Sequence, residues 1–309
     1  MRVAIFGSNG FIGSHLSNYL STKKSLDILC MVRENSDLSV LEKLKIKYLN
    51  NKLNYFIYNP NNLIDLFKDQ KIDMIINLIS YGVNQDHKNK KIAHKVNTEM
   101  PVALYKVASE NNVKYFIHFG TSQEYGNEKY IKESIERKPI SIYGKSKYEG
   151  CNACIEEYIK NKNCKLVILR PFSIYGECES EKKLIPSLIN SIKKQTKLSL
   201  TEGLQDRNYL YVEDLIKYIY LVIGEISNLE FIDYNIGSAK NIKIKNIAKI
   251  ISDITNMSEN SLNWGAVSYR DGETMEFKAD FNRIYGKVGK LDEHTMYDAL
   301  QKINLFMDK

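Results

Sequence analysis

Residues 7–13 read Gly-Ser-Asn-Gly-Phe-Ile-Gly and follow directly on the apolar run Val3-Ala4-Ile5-Phe6. Three glycines at that spacing, between a short strand and an amphipathic segment, constrain the fold more than any other stretch of the chain. Gly7 permits a tight strand-to-helix turn, Gly10 lets the backbone approach a pyrophosphate, and Gly13 lets helix and strand pack closely. The diphosphate then rests on the positive N-terminus of the helix. Gly7, Asn9, Gly10, Phe11, Ile12 and Gly13 are therefore the expected dinucleotide-binding turn.

Short β-branched runs alternate with longer amphipathic segments along the first half of the chain. They are VAIF at 3–6, a helix near 11–20, LDILCMV at 26–32, YFIY at 55–58, MIINLI at 74–79, a helix near 92–111, YFIHF at 115–119, a helix near 145–160 and KLVIL at 165–169. That alternation predicts βαβ units, a parallel sheet and a doubly wound, Rossmann-like α/β fold. After residue 170 the pattern loosens: helices at 184–194, 214–224, near 242–254 and near 293–306, and strands at 198–200 and 232–236. The expected division is a dinucleotide-binding domain of residues 1–170 plus 207–236, and a smaller C-terminal α/β substrate lobe of residues 171–206 plus 237–309.

Composition narrows the functional class. The net charge of +7 comes from Lys mixed with acids on solvated faces, with seven Arg among 44 basic residues and no concentrated Arg tract, so no nucleic-acid partner is expected. So few Arg invite the question of bidentate contact with phosphate or carboxylate at each one. Five cysteines without disulfide spacing suit a reducing, cytoplasmic setting. Cys151-x-x-Cys154 falls inside a helical pattern with no second ligand pair, so a packing role is expected and no metal. The N-terminal apolar run is too short for a signal peptide, and no run of 18 apolar residues occurs, so no membrane span is expected.

The second strand ends at Val32-Arg33, where a dinucleotide fold that prefers NAD carries an acidic residue on the ribose 2′-hydroxyl. A carboxylate there repels a 2′-phosphate, whereas a guanidinium beside an uncharged residue pairs with it. NADP(H) is therefore favoured, with NAD(H) possible; the alternative is that Arg33 is a solvated loop residue.

Tyr143 and Lys147 stand at i and i+4, one turn apart on one helix face. A tyrosine with its reference pKa of about 10 is a poor acid–base group near neutrality, and an ammonium nearby favours the phenolate and helps proton exchange. Alone the pair is commonplace in a chain with 21 Tyr. Strand YFIHF, however, runs into Gly120-Thr121-Ser122-Gln123-Glu124-Tyr125-Gly126, which sets hydroxyls at the C-terminal edge of a parallel sheet, where such folds bind ligands.

Taken together these stretches resemble the extended short-chain dehydrogenase/reductase family, the nucleotide-sugar epimerases, dehydratases and reductases, over nearly the whole chain. The matching pieces are GSNGFIG at 7–13, VNTEMP at 96–101, GTSQEYG at 120–126, YGKSK at 143–147, LRPFSIYG at 169–176, GLQDRNYLYVEDL at 203–215, NIGS at 235–238 and YRDGE at 269–273. The resemblance implies that Thr121 bonds the sugar oxygen at C4, that Tyr143 exchanges the proton, and that Lys147 bonds the nicotinamide ribose and lowers the tyrosine pKa. It implies Arg207 and Arg270 as the clamp on the nucleotide diphosphate, with a structural ion pair as the alternative for Arg207. Ser122 and Ser173 fall at substrate positions, although Ser173 replaces a common Asn and Asn59 replaces an Asp near the adenine. Asn97 matches an asparagine that holds either backbone or substrate. The family also implies a two-fold helical homodimer.

Within that family the 4,6-dehydratases follow the threonine with an Asp-Glu pair, where this chain has Ser122-Gln123, neither of which exchanges a proton easily. The 4-epimerases keep NAD bound and usually carry the acidic residue that Val32 lacks. The Thr-Ser-x-Glu-Tyr-Gly stretch looks like that of reductases of 4-keto-6-deoxy nucleotide sugars, which implies NADPH-dependent reduction of a C4 ketone for surface polysaccharide precursors. The alternatives are an NAD-dependent 4-epimerase, a 4,6-dehydratase and, from another class, a non-catalytic NADP(H)-sensing protein.

Overall fold

The computed structural model of the protein describes residues 1–45, 47–48, 53–68, 70–83, 89–270 and 272–308. Its central sheet has seven strands: β1 (Arg2–Phe6), β2 (Asp27–Val32), β3 (Asn54–Ile57), β4 (Met74–Asn77), β5 (Tyr115–Phe119), β6 (Lys165–Pro171) and β7 (Asp233–Ile236). Their order is β7-β6-β5-β4-β1-β2-β3, and the pairs from β3 through to β6 are parallel. This is the doubly wound Rossmann-like arrangement. Strands covered on both faces read as continuous apolar runs, and Val3, Ala4, Ile5 and Phe6 are all fully buried. Strand order reverses between β1 and β4, which opens the crevice where such sheets take ligands.

Three helices matter for the site: α1 (Phe11–Ser21), α2 (Met100–Glu110) and α3 (Ile142–Lys160). The stretch read as one helix near 92–111 is a short helix, Lys90–His94, then a π-helical turn, Lys95–Glu99, and then α2. The wider turn interrupts the helical period at Asn97, a local feature that hydrophobic spacing does not reveal. Helix α3 begins three residues before the expected 145, because the Ser141 hydroxyl accepts the Gly144 N–H and starts the helix there. Cys151 and Cys154 lie in the apolar core with Leu104, Tyr105 and Phe116, and burial pushes the Cys154 thiol up to about 12.

The chain divides into two compact units, residues 1–126, 136–171 and 219–234 in the first, and 127–135, 172–218 and 235–309 in the second. Residues 127–135 join the second because Tyr130–Ile131 pairs with Lys278–Ala279. Residues 207–218, expected with the sheet, join it too, because Tyr209–Tyr211 runs parallel to Ser173–Tyr175. That unit also holds the helices Leu184–Lys194, Ile244–Thr255, Asn282–Val288 and Met296–Met307, of which Asn282–Val288 has no counterpart in the sequence pattern. Among the described residues no helix is long and apolar enough to cross a membrane.

Candidate active site

The glycine turn is built tightly enough that two of its residues must be glycine. Gly7 has φ of 77°, and a Cβ there would stand 3.0 Å from the Leu78 carbonyl carbon, just past β4. A Cβ on Gly13 would fall 2.0 Å from the Gly7 carbonyl oxygen. Gly10 donates to that same oxygen at 3.0 Å and is the N-cap of α1, with no side chain capping the helix. The first N–H groups of α1 are left for an anion, which is what a dinucleotide pyrophosphate requires. Phe11 and Ile12 begin the helix, half-buried, and Asn9 donates to the Asp37 carbonyl at 3.1 Å, tying the loop after β2 to the turn. Ser8 adds a buried bond to the Met31 carbonyl at 3.2 Å. The turn therefore fits a dinucleotide.

Val32 is 5% exposed and cannot reach a ribose, whereas Arg33 is exposed one residue beyond. Arg33 lines a cavity of about 580 Å³ with Glu34, Asn35, Ile57, Tyr58, Asn59 and Pro60. Its charge acts on the Tyr58 phenol, which burial otherwise holds up. Glu34, which no sequence pattern singled out, brings a carboxylate to the same cavity.

Thr121 and Tyr143 come together in the first unit. Thr121 caps the short 3₁₀ turn Ser122–Tyr125: its hydroxyl accepts the Gln123 N–H at 3.3 Å, and Glu124 reaches back to the Thr121 N–H at 2.8 Å. Tyr143 stands in the first turn of α3, and the Thr121 and Ser80 side chains act on its phenol in the direction that lowers its pKa. Burial, reinforced by the Glu124 carboxylate, outweighs those two side chains and holds the phenol above its ordinary value. Lys147 is almost fully buried, and its Nζ donates to the carbonyls of Phe119 at 2.8 Å and Ile79 at 3.2 Å. Burial lowers its pKa, and the Glu124 carboxylate works against that. In this geometry the ammonium braces two backbone segments, and the phenol's pKa is raised where an unopposed ammonium would lower it.

Asn97 holds backbone. From the π-helical turn its Oδ1 accepts the Tyr81 N–H at 2.8 Å, and its Nδ2 donates to the Tyr81 carbonyl at 2.7 Å and to the Ser146 hydroxyl at 2.9 Å. The segment that carries Ser80 is thereby pinned to α3. Gln123 accepts from the Ser141 hydroxyl at 2.9 Å, joining the 3₁₀ turn to the α3 cap, while Ser122 opens that turn half-buried. Glu124 itself is fully buried on Arg170.

The second unit carries Ser173, Arg207 and Arg270. Ser173 is half-buried and donates its N–H to the Asn208 carbonyl at 3.1 Å. Arg207 pairs with Glu273 and donates to the carbonyls of Asp206 at 2.7 Å and Thr274 at 2.9 Å. Arg270 is exposed in the turn that carries Glu273. Sequence patterns did not mark Glu179, whose carboxyl burial pushes up to about 8 despite the Lys183 ammonium. Nor did they mark Tyr209, whose phenol is held up by burial and by Glu179.

Fold and site together define a pyridine-nucleotide enzyme of the doubly wound α/β class. The family profile described as the NAD dependent epimerase/dehydratase family matches residues 3–237, and the chain belongs to that family, the extended short-chain dehydrogenases/reductases. The chain is 30% identical over 82% of its length to a dTDP-D-glucose 4,6-dehydratase of Dictyostelium discoideum, spanning 62% of that protein. It is 25% identical to a CDP-abequose synthase of Salmonella muenchen, with 98% of this chain and 96% of that one covered. Among solved structures, the UDP-glucuronic acid 4-epimerase of Bacillus cereus in complex with NAD superposes with a TM-score of 0.85 at 22% identity, covering 100% of this chain and 97% of that one.

Proposed function

We propose that the protein reduces the C4 ketone of a nucleotide-linked 4-keto-6-deoxy sugar with NADPH, as a homodimer that supplies a surface polysaccharide precursor. One observation carries the choice of reaction. Glu124, the carboxylate nearest Thr121 in sequence, is committed to the Thr121 N–H and to Arg170, and so is not available for the proton exchanges of water elimination. Ser122 and Gln123, between them, have no readily exchanged proton. What remains beside Thr121 is the Tyr143 phenol, a single proton carrier kept protonated by its surroundings. That suits the reduction of one carbonyl.

Reduced nicotinamide supplies the hydride when bound. The uncapped N-terminus of α1 and the turn of residues 7–13 hold the pyrophosphate, and Arg33 pairs with the 2′-phosphate. Lys147 holds the Ile79 and Phe119 segments around the ribose. Tyr143 delivers its proton to the oxygen at C4 as negative charge develops there, and the Thr121 hydroxyl donates to the same oxygen. Ser122 and Ser173 contact the sugar nucleotide, and Arg207 and Arg270 bind its diphosphate, Arg207 exchanging the Glu273 carboxylate for phosphate.

The test is to offer GDP-, dTDP-, CDP- and UDP-linked 4-keto-6-deoxy sugars with NADPH or NADH and follow the absorbance of the reduced cofactor. Consumption of NADPH with one of them is expected; none with any of them sinks the reading. Glu34 favours a second reading, a 4-epimerase with retained NAD, because its carboxylate lines the same cavity as Arg33. Oxidised NAD that copurifies, and turnover without added cofactor, would select it.

A further inference from the structure

Behind the turn that carries Thr121 lies a carboxylate and guanidinium pair with no exposed surface at all. Glu124 Oε1 accepts the Thr121 N–H at 2.8 Å, and Oε2 accepts Arg170 Nε at 2.8 Å. Arg170 Nη1 donates to Asp233 at 2.6 Å, and Asp233 also takes Arg137. The four charges come from the turn after β5, from β6, from β7 and from the segment before α3. Burial works against the Arg170 cation, but the carboxylates of Glu124 and Asp233 outweigh it and keep it charged.

Two charges taken out of water rarely return their desolvation cost, so a buried pair is poor filler. A short exposed turn could be closed by a neutral cap. Here the surroundings are arranged to admit the charged one: a Cβ on Gly120 would stand 2.4 Å from Glu124 Oε1 and 3.0 Å from Arg170 Cγ, so the strand end is left bare for the carboxylate to fold back. The consequence falls on Thr121. Its oxygen accepts the Gln123 N–H, which commits one lone pair and aims the hydroxyl away from the backbone, and its side chain acts on the Tyr143 phenol. Opening the turn would release the Thr121 rotamer.

We propose that Glu124 is a positioning residue: clamped by Arg170, it closes the turn from Thr121 to Tyr125 and so aims the Thr121 hydroxyl at Tyr143. Only the kinetic readout of this inference rests on the ketone-reduction reading. The roles of cap and charge separate in three variants of the full chain. Glu124→Ala removes both the acceptor for the Thr121 N–H and the partner of Arg170. Glu124→Gln keeps the acceptor and loses the charge. Glu124→Gln/Arg170→Met keeps the acceptor and removes the cation left unpaired.

For Glu124→Ala, kcat is expected to fall about 10- to 100-fold while KM for NADPH stays within about twofold, the signature of misplacement at the reacting centre. Glu124→Gln is expected to recover most of kcat yet melt at lower temperature, and the double variant to regain part of the melting temperature. Crystal structures of the wild type and variants should show Thr121 turned from Tyr143 only where the acceptor is missing; if Glu124→Ala does not fold, the two Gln variants, with Thr121 in place and kcat retained, carry the same comparison. Activity that tracks melting temperature across the series, or a Thr121 hydroxyl still on Tyr143 without the acceptor, overturns the proposal. Should the wild type reduce no keto-sugar, the reading of the reaction fails, and the crystallographic comparison still decides the positioning.

Discussion

Replacing Arg33 with Ala tests how the cofactor is chosen. The guanidinium is exposed at the mouth of a cavity shared with Glu34, Tyr58 and Asn59. A charge-assisted hydrogen bond contributes about 1.5–3 kcal/mol when well sheltered, and exposure screens this, leaving about 0.5–1 kcal/mol at such a site. The loss converts to NADPH binding weakened about 2- to 5-fold, with NADH binding unchanged. Raising the salt from low to physiological ionic strength should narrow the NADPH difference between variant and wild type, because the contact is solvent-facing. Glu34→Gln should act in the opposite direction and tighten NADPH, since it removes the one carboxylate among the described residues that line that cavity. The assay is fluorescence titration of each reduced cofactor with full-length protein at two salt concentrations. Equal weakening of NADPH and NADH by Arg33→Ala, or tighter NADH than NADPH in the wild type, would refute the reasoning.

Four further outcomes follow from the same geometry. Tyr143→Phe should lower kcat about 10²- to 10⁴-fold with cofactor affinity retained, as loss of a general acid predicts; parallel loss of cofactor binding would point to folding instead. Because the Tyr143 phenol is held above its ordinary value by burial and Glu124, its proton is present throughout the neutral range. Ketone reduction should then stay level through neutral pH and fall only above about 10, which a pH series of kcat/KM reads directly. His118 is fully buried, and burial, with the Lys147 and Arg170 charges, holds its imidazole well below 6.5. The unfolded chain takes up that proton and the folded chain does not, so this contribution is whole above about pH 6.5 and drains as the pH falls below it; urea melts of His118→Gln should show a shallower acid slope than the wild type. Asn97→Leu leaves the Tyr81 N–H and the Ser146 hydroxyl short of partners and should cost about 1–3 kcal/mol in the same melts.

Much of the fold is written locally. The β-branched runs and the Gly7-to-Gly13 turn act over a few residues, so they can be read without tertiary knowledge, and the strands follow from them. The site is legible to the extent that its parts are local: Tyr143 and Lys147 lie one turn apart, and Thr121-x-x-Glu124 is itself a capping-box pattern. What escapes the sequence is long-range. The partner of Glu124 is 46 residues away on β6, and Asp233 is a further 63 along the chain. The division into units likewise turns on pairings between distant segments, Tyr130–Ile131 with Lys278–Ala279 and Ser173–Tyr175 with Tyr209–Tyr211. Lys147 illustrates a subtler limit, since helical spacing places it beside Tyr143 without saying that its Nζ will be taken by the Phe119 and Ile79 carbonyls.

Ketone reduction by this protein requires that hydride from an external cofactor end on the carbon whose oxygen Tyr143 protonates. Incubation of the protein with a 4-keto-6-deoxy sugar nucleotide and NADPH carrying deuterium at the transferred position, followed by mass spectrometry, measures this directly. One deuterium at C4 of the product and one cofactor oxidised per product formed are expected. Product without deuterium at C4, or formed with no net consumption of cofactor, would contradict ketone reduction.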